Sequence, residues 1–369
     1  MKFSRIYCQE REVQMSEWRL IKLKFGRTQA HFGEVGIGIE ETGERVRSDT
    51  LFSAWISAYA RLFEKDAVEE LLQQFLDSST PPVRISSTFI YREEGDRTIY
   101  YLPRPLQFPI NYPKDNDLEF FKTYKKLNYL PLEVWQRWYQ GVGFLGTDRE
   151  ELIAETKGKS NGHLCQAGTF DYKKAFKIGQ EPKIAVDRIT RATNLYHTGF
   201  VQFLWEQNSD DINSLSGLYF LLHFSESDRH LEDNLHAALH FLGEEGIGGE
   251  RSSGAGLFTI EWFQLDKDES WKNAIAFIGG NHHCLISLFW ELPLPDGLLN
   301  DASYEILERG GWIAGYQLRR KMVRMFAEGS VFPLPPSGKL ADVTPGEYKL
   351  HPIYRSGISL SLPIKVNEQ

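Results

Sequence analysis

Residues 243–256 read GEEGIGGERSSGAG, six glycines, one arginine and two serines set between a helix-like stretch and a strand-like one. That mixture suits an extended polyanion. Lacking Cβ atoms, Gly246, Gly248, Gly249, Gly254 and Gly256 admit positive φ and let backbone N–H groups come close to a ligand. Arg251 adds a planar, two-pronged donor for phosphate, and Ser252 and Ser253 add hydroxyls. A solvated surface loop would tolerate the same residues. Two nucleotide-binding motifs are excluded. A P-loop ends in Gly-Lys-Ser/Thr and no lysine stands here, while a dinucleotide fingerprint begun at Gly246 needs glycine where Arg251 stands. Order excludes them again, since both motifs lead from a strand into a helix and this loop leads from a helix into a strand.

The loop has an echo. Residues 33–40, GEVGIGIE, match residues 243–250 at six of eight positions and run on into ERVRSDTLF. There Arg45, Arg47 and Ser48 flank a predicted helix start, whose free N–H groups and partial positive charge would also attract phosphate; an ordinary solvated cap is the alternative. Two basic islands interrupt an otherwise acidic chain. Residues 171–199 carry six Lys or Arg, Arg188 and Arg191 among them, against three acids, and residues 309–324 carry Arg309, Arg319, Arg320, Lys321 and Arg324 with no acid. Within 318–326, LRRKMVRMF, the interleaved Met322, Val323, Met325 and Phe326 predict an anchored strand that fixes Arg319, Arg320, Lys321 and Arg324 in place. For catalysis, His31, His163, His197, His282 and His283 are scattered, and His31 beside the first Gly loop is the one kept as an acid or base for cleaving RNA. The aromatic signature of an RRM strand is absent, so any bound RNA falls to the loops.

These groups need a scaffold. WRLIKLKF (18–25) alternates as a strand does, and SDTLFSAWISAYARLF (48–63) repeats apolar residues at helical spacing behind Ser48 or Asp49 as N-cap. AVEELLQQFL (67–76) reads as a second amphipathic segment that ends before Pro81 and Pro82, and RISSTFIY and RTIYYLPRPL read as strands around the turn EEGD. Residues 107–180 read as an insertion with a short aromatic helix at EVWQRWY, and residues 183–206 as a hairpin. QNSDDINS (207–214) is polar and turn-prone, and it serves as the expected domain boundary. After it the order repeats, with strand 218–224, helix 230–242, Gly loop, then strands 257–265 and 284–292. The expected fold class is therefore α+β, two ferredoxin-like (RRM-like) sandwiches with antiparallel sheets and Gly-rich loops, 1–210 and 211–369, the first carrying an insertion and hairpin at about 107–200.

Length allows two domains of ordinary size. With 41% hydrophobic and 25% charged residues the chain reads as soluble and globular, and neither a membrane span nor the apolar core of a signal peptide is visible, so the expected place is the cytoplasm with no membrane partner. Cys8, Cys165 and Cys284 are odd in number and far apart, which predicts reduced thiols rather than a disulfide or metal site; no cofactor and no metal is expected. A net charge of −8 argues against indiscriminate nucleic-acid coating, whereas basic islands in an acidic shell suit one defined polyanion.

Seven pieces in order carry a family resemblance: HFGEVGIGIEETGERVRSDTLFSAW, YLPRPL, VDRITRATNLYHTGFVQF, GIGGERSSGAGLF, RGGWI, RRKMVRMFAEGSVF, and DVTP with HPIYRSGI. Over nearly its whole length the chain resembles the RAMP-superfamily subunit of type III-A (Csm) CRISPR effector complexes that caps the 5′ end of the guide RNA. The resemblance implies two ferredoxin-like domains and a crRNA 5′ handle gripped by the Gly loop and nearby basic residues. It also implies contacts to the polymerase-like large subunit and the backbone subunit, and a projecting hairpin within 160–200 beside the first guide–target RNA pairs. Such subunits resemble non-enzymes, and neither the catalytic aspartate of the backbone subunit nor the histidine of the processing nuclease has a matching position here. Two rival readings stand beside it: a metal-independent endoribonuclease that processes pre-crRNA with His31, and a protein scaffold whose basic islands dock on an acidic partner. A single-stranded handle offers stacking faces, base edges and phosphates together.

Overall fold

The computed structural model describes residues 17–34, 38–77, 80–113, 118–208, 211–313 and 315–367; Cys8 and residues 35–37 of the first Gly loop lie outside the described residues. The alternating residues at the start form β1 (Trp18–Lys24), followed by a short β2 (Gln29–Ala30) and by α1 (Ser48–Asp77), which breaks at Glu64 with φ 63°. β3 (Val83–Ile85), β4 (Phe89–Glu94) and β5 (Arg97–Pro103) come next. The expected insertion is mostly helical: α2 (Leu118–Lys126), β6 (Tyr129–Pro131), α3 (Leu132–Tyr139), α4 (Gly146–Thr156) and α5 (His163–Gln166). The long hairpin β7 (Phe176–Val186) and β8 (Thr193–Phe203) follows, then β9 (Trp205–Asn208), β10 (Asp211–Ser214), β11 (Ser216–Phe224), α6 (Arg229–Glu245), β12 (Thr259–Gln264) and α7 (Glu269–Ile275). Short strands fill the remainder: β13 (His282–Leu285), β14 (Ile306–Arg309), β15 (Val323–Phe326), β16 (Val331–Phe332), β17 (Leu340–Asp342), β18 (Tyr354–Ser356) and β19 (Ser361–Ile364).

Among the described residues the largest sheet has seven strands, ordered β12-β1-β11-β4-β5-β6 with β3 also on β11. Its neighbours run antiparallel, so the α+β class with antiparallel sheets holds. The two strand–helix–strand runs, β1-α1-β4 and β11-α6-β12, do not make two sheets. They interleave, β1 and β11 side by side with β12 and β4 outside them. The division placed at 210/211 therefore runs through this sheet, and the strand, helix and strand read as the start of a second unit are the other half of the first. The reason lies in burial. β1 and β11 are almost wholly buried on both faces, β1 even at its charged Arg19 and Lys22, so each takes a strand on either side and a layer above and below. Ile21, Leu218, Phe220 and Leu222 face a core shared with Leu51 and Trp55 of α1 and Leu235 and Leu239 of α6. Leu20, Tyr219 and Leu221 face the opposite core, filled by Trp135 and Trp138 of α3, Phe120 of α2, and Leu362 and Ile364 of β19. The inserted helices and the C-terminal strands thus cover the face that the paired helices leave open. QNSDDINS, expected as the domain boundary, falls largely in the paired strands β9 and β10.

Candidate nucleic-acid interface

The Gly loop leaves α6 at Gly246 and enters β12 through Phe258, closing the second half of the interleaved sheet. It folds back on the segment after β1. Gly249 N donates to His31 O at 2.8 Å, Gly256 N to Gln29 O at 2.8 Å, and Ile247 N to Gly256 O at 2.9 Å. Two glycines are demanded by this closeness: Gly248 (φ +98°) and Gly256 (φ +77°) would press a Cβ against the carbonyl oxygens of His31 and Ile247. The remainder stands outward. Arg251–Ser253 form one 3-10 turn, all three exposed, and Gly254 behind them borders open space. The glycines at 246–249 and 256 therefore serve the loop's own folding, and Arg251, Ser252 and Ser253 are what it presents.

The β7–β8 hairpin stands against this loop. Its strands pair from Phe176↔Phe203 to Val186↔Thr193, and β8 also pairs with β2. Lys183 Nζ lies 2.5 Å from Glu250 Oε2, and His31 Nδ1 lies 2.8 Å from Gly199 O, so loop, His31 and the middle of the hairpin form one body. The first Gly loop joins it through Gly199 N donating to Ile39 O at 2.9 Å and Gln180 Nε2 to Glu40 O at 3.2 Å. At the far end Arg188 and the left-handed Arg191 (φ 56°) are exposed in a turn where Asp187 Oδ1 accepts from Ile189 N and Thr190 N. Those backbone bonds hold the Asp187 carboxyl below its ordinary pKa. The tip is also apolar on the outside: Ile189 is 93% exposed, and Ile184, Val186 and Leu195 are exposed with it.

Several predicted residues are not available to a ligand. Arg45 donates Nε to Tyr129 Oη at 2.7 Å and Nη1 to Glu328 Oε1 at 3.1 Å. Arg47 bonds Glu34 at 2.6 Å and Glu328 at 2.5 Å. Ser48 is buried, its Oγ accepting from Leu288 N at 2.9 Å. The expected phosphate site at the start of α1 is corrected to an internal seam, because Glu34, the Tyr129 and Ser87 hydroxyls and Glu328, in the turn between β15 and β16, already engage these cations and donors. Burial opposes the charge of Glu328, yet Arg45 and Arg47 hold it far below the ordinary carboxylate range. Asp49 behaves likewise between Arg309 and Arg355. The second basic island is thinned in the same way. Arg309 is spent on Asp49, and Arg324 in β15 pairs with Glu308 of β14 at 3.1 Å, although its side chain stays largely exposed. Arg319 and Lys321 are exposed, whereas Arg320 turns inward, where burial lowers its pKa despite nearby Asp49. The strand predicted over 318–326 shortens to β15.

His31 is a packed side chain: buried, bonded to Gly199 O, with its ring against Gly33 and Gly249. His236 and His240, one turn apart on α6 with rings 4.7 Å apart, went unremarked in the sequence; among the described residues no third ligand joins them into a metal site. Also unremarked was Trp312, exposed beneath the guanidinium of Arg319. The signal for it, a tryptophan in an acid-free basic stretch, was legible.

Comparison with known proteins gives a consistent picture. Residues 279–364 match the family described as the CRISPR Csm4 C-terminal domain. A protein from Thermococcus onnurineus named CRISPR system Cms protein Csm4 is 27% identical over 334 residues, 87% of this chain and 92% of that relative. One of the same name from Mycobacterium tuberculosis is 27% identical over 344 residues, 91% and 94%. Among solved structures, one described as the Csm3-Csm4 subcomplex in the type III-A CRISPR-Cas interference complex is similar with TM-score 0.59, 17% identity and coverage of 94% and 99%. Another, the Csm1-Csm4 cassette in complex with pppApA, gives TM-score 0.54, 19% identity and coverage of 95% and 99%.

Proposed function

From its similarity to proteins named Csm4, we propose that the chain is a Csm RAMP-type subunit, and that it works in a type III-A CRISPR complex in the cytoplasm as the non-catalytic subunit that grips the 5′ handle of crRNA. In the same reading it joins the polymerase-like large subunit to the backbone subunit; the similar structures named as a Csm1-Csm4 cassette and a Csm3-Csm4 subcomplex support this reading. One observation carries the handle reading: the exposed Arg251–Ser252–Ser253 turn is locked, through Gly249 on His31 and Lys183 on Glu250, to the middle and outer part of an exposed hairpin bearing Arg188 and Arg191. Donors held rigidly beside a wall suit one phosphate run, because little ordering is left to be done on binding. The hairpin tip, apolar and basic at once, suits a place beside the first guide–target pairs. The interleaved sheet is read as one ferredoxin-like unit and residues 279–364 as the remains of a second. The pre-crRNA nuclease reading loses support, since His31 spends its Nδ1 on a carbonyl and its ring on two glycines.

The test is Arg251→Ala with Ser253→Ala. Both residues are exposed, so melting should not change, while affinity for single-stranded repeat-derived RNA falls. If about four phosphates are held, the logarithm of affinity falls against the logarithm of salt with slope near −3, at about −0.7 for each phosphate on a single strand. Unaltered RNA binding by the double variant refutes the reading.

A further inference from the structure

The segment Gly310–Arg320 contains a feature the handle reading does not use. Gly311 and Arg320 face each other, Arg320 N donating to Gly311 O at 2.9 Å; Trp312 bridges Arg319, and Ile313 N donates to Leu318 O at 2.9 Å. Ile313 is buried and anchors this small ribbon, and the next turn carries Tyr316, whose ring stands edge-on to Tyr348 at 5.3 Å. On this fixed base Trp312 is 57% exposed. The guanidinium of Arg319 lies 4.6 Å from its ring centroid and covers one face. Residues 310–323 contain no Asp or Glu, and Lys321 is exposed two positions beyond Arg319. Just inside, Arg320 keeps a buried Nε without a hydrogen-bond partner.

We propose that Trp312, backed by Arg319, is a stacking platform for one base of single-stranded RNA, with Lys321 beside it for a phosphate. A cation on one face of an indole leaves the other to be covered, and a nucleobase fits that face whatever its sequence. An exposed Trp pinned by a short ribbon loses little freedom on binding. The excess of cations with no acid in the ribbon selects an anionic strand over an acidic peptide, because a peptide has no flat ring for the indole in each residue while every nucleotide brings both ring and charge. The inference rests on the handle reading and extends it to a second contact point, remote in sequence from the Gly loop.

The full chain and a single-stranded repeat-derived RNA carrying 5-iodouridine at successive positions would test it. Irradiation should crosslink one position to Trp312 in the unaltered protein, a readout that needs no variant. Trp312→Ala should weaken RNA binding between about fivefold and about a hundredfold, the range for losing one base–aromatic stack, and Trp312→Phe should restore most of it. The salt slope should stay the same in Trp312→Ala, since no phosphate contact is lost, whereas Arg251→Ala should make it shallower by about 0.7. If RNA crosslinks at the Gly loop and responds to Arg251→Ala but not to Trp312→Ala, the platform is refuted and the handle reading stands. If Trp312→Ala leaves RNA binding intact yet prevents assembly with another subunit, Trp312 is a protein contact and the proposal fails. If the chain binds no RNA, both fail.

Discussion

Replacing Glu328 by Gln should unfold the seam between the start of α1 and the C-terminal strands more readily than any surface change. Glu328 is 8% exposed, with its side chain at 1%, and it accepts from Arg45 at 3.1 Å, from Arg47 at 2.5 Å and from Ser87 Oγ. Removing its charge leaves two guanidinium groups in a poorly hydrated place with one anion fewer. Breaking such a buried pair from one side costs about 3–5 kcal/mol. Taking about 2.1 cal/mol/K of unfolding entropy per residue, the 369 residues give about 0.8 kcal/mol/K, so the melting temperature should fall by about 4–6 °C. The pH dependence follows from the depressed pKa. The native carboxyl stays ionised below the ordinary range, so its stabilisation is complete above the unfolded value of about 4.3 and is lost as pH falls through the folded value. Calorimetry of both proteins at pH 7, 5 and 4 should show the gap constant at the first two and narrowing at the last. Glu328→Gln melting within about 1 °C of the unaltered chain at pH 7, against an expected 4–6 °C, refutes the seam; so does a gap that widens in acid. Combining it with Arg45→Met should recover part of the loss, because the orphaned charge goes too.

Asp49→Asn, which strips Arg309 and Arg355 of their shared anion, should likewise lower the urea midpoint by an amount worth about 3–5 kcal/mol, and adding it to Glu328→Gln should flatten the acid limb of the stability curve. Gly256→Ala should lower both melting temperature and RNA affinity, since its Cβ meets Ile247 O, whereas Gly254→Ala, with open space around it, should cost only the left-handed strain of about 1–2 kcal/mol and leave binding nearly intact. His31→Ala should reduce stability while leaving any RNA cleavage in EDTA at the background of the unaltered chain; cleavage that disappears with His31 would revive the nuclease reading. Arg191→Glu at the exposed hairpin tip should weaken RNA affinity with no change in melting.

What the residues settled alone was local. Alternation in WRLIKLKF and LYFLLHF, helical spacing in SDTLFSAWISAYARLF and HLEDNLHAALHFL, and the glycines of 243–256 each act within one turn or one strand, and each appears where the pattern put it. The exposed Arg251–Ser253 turn and the long hairpin with Arg188 and Arg191 belong to the same class, because a loop rich in glycine and a two-residue period need no distant partner to be read. Tertiary structure alone decided the remainder. Two similar strand–helix–strand runs can stand apart or interleave, and only the demand of β1 and β11 for neighbours on both edges chose the second. An arginine in a string looks the same whether it faces solvent or a carboxylate; Arg45 and Arg47 were turned into structural cations by Glu328, some 280 residues away in sequence. Charge pairing at such separations is fixed by how the sheet's second face is covered, and that covering is assembled from parts of the chain that no short window contains.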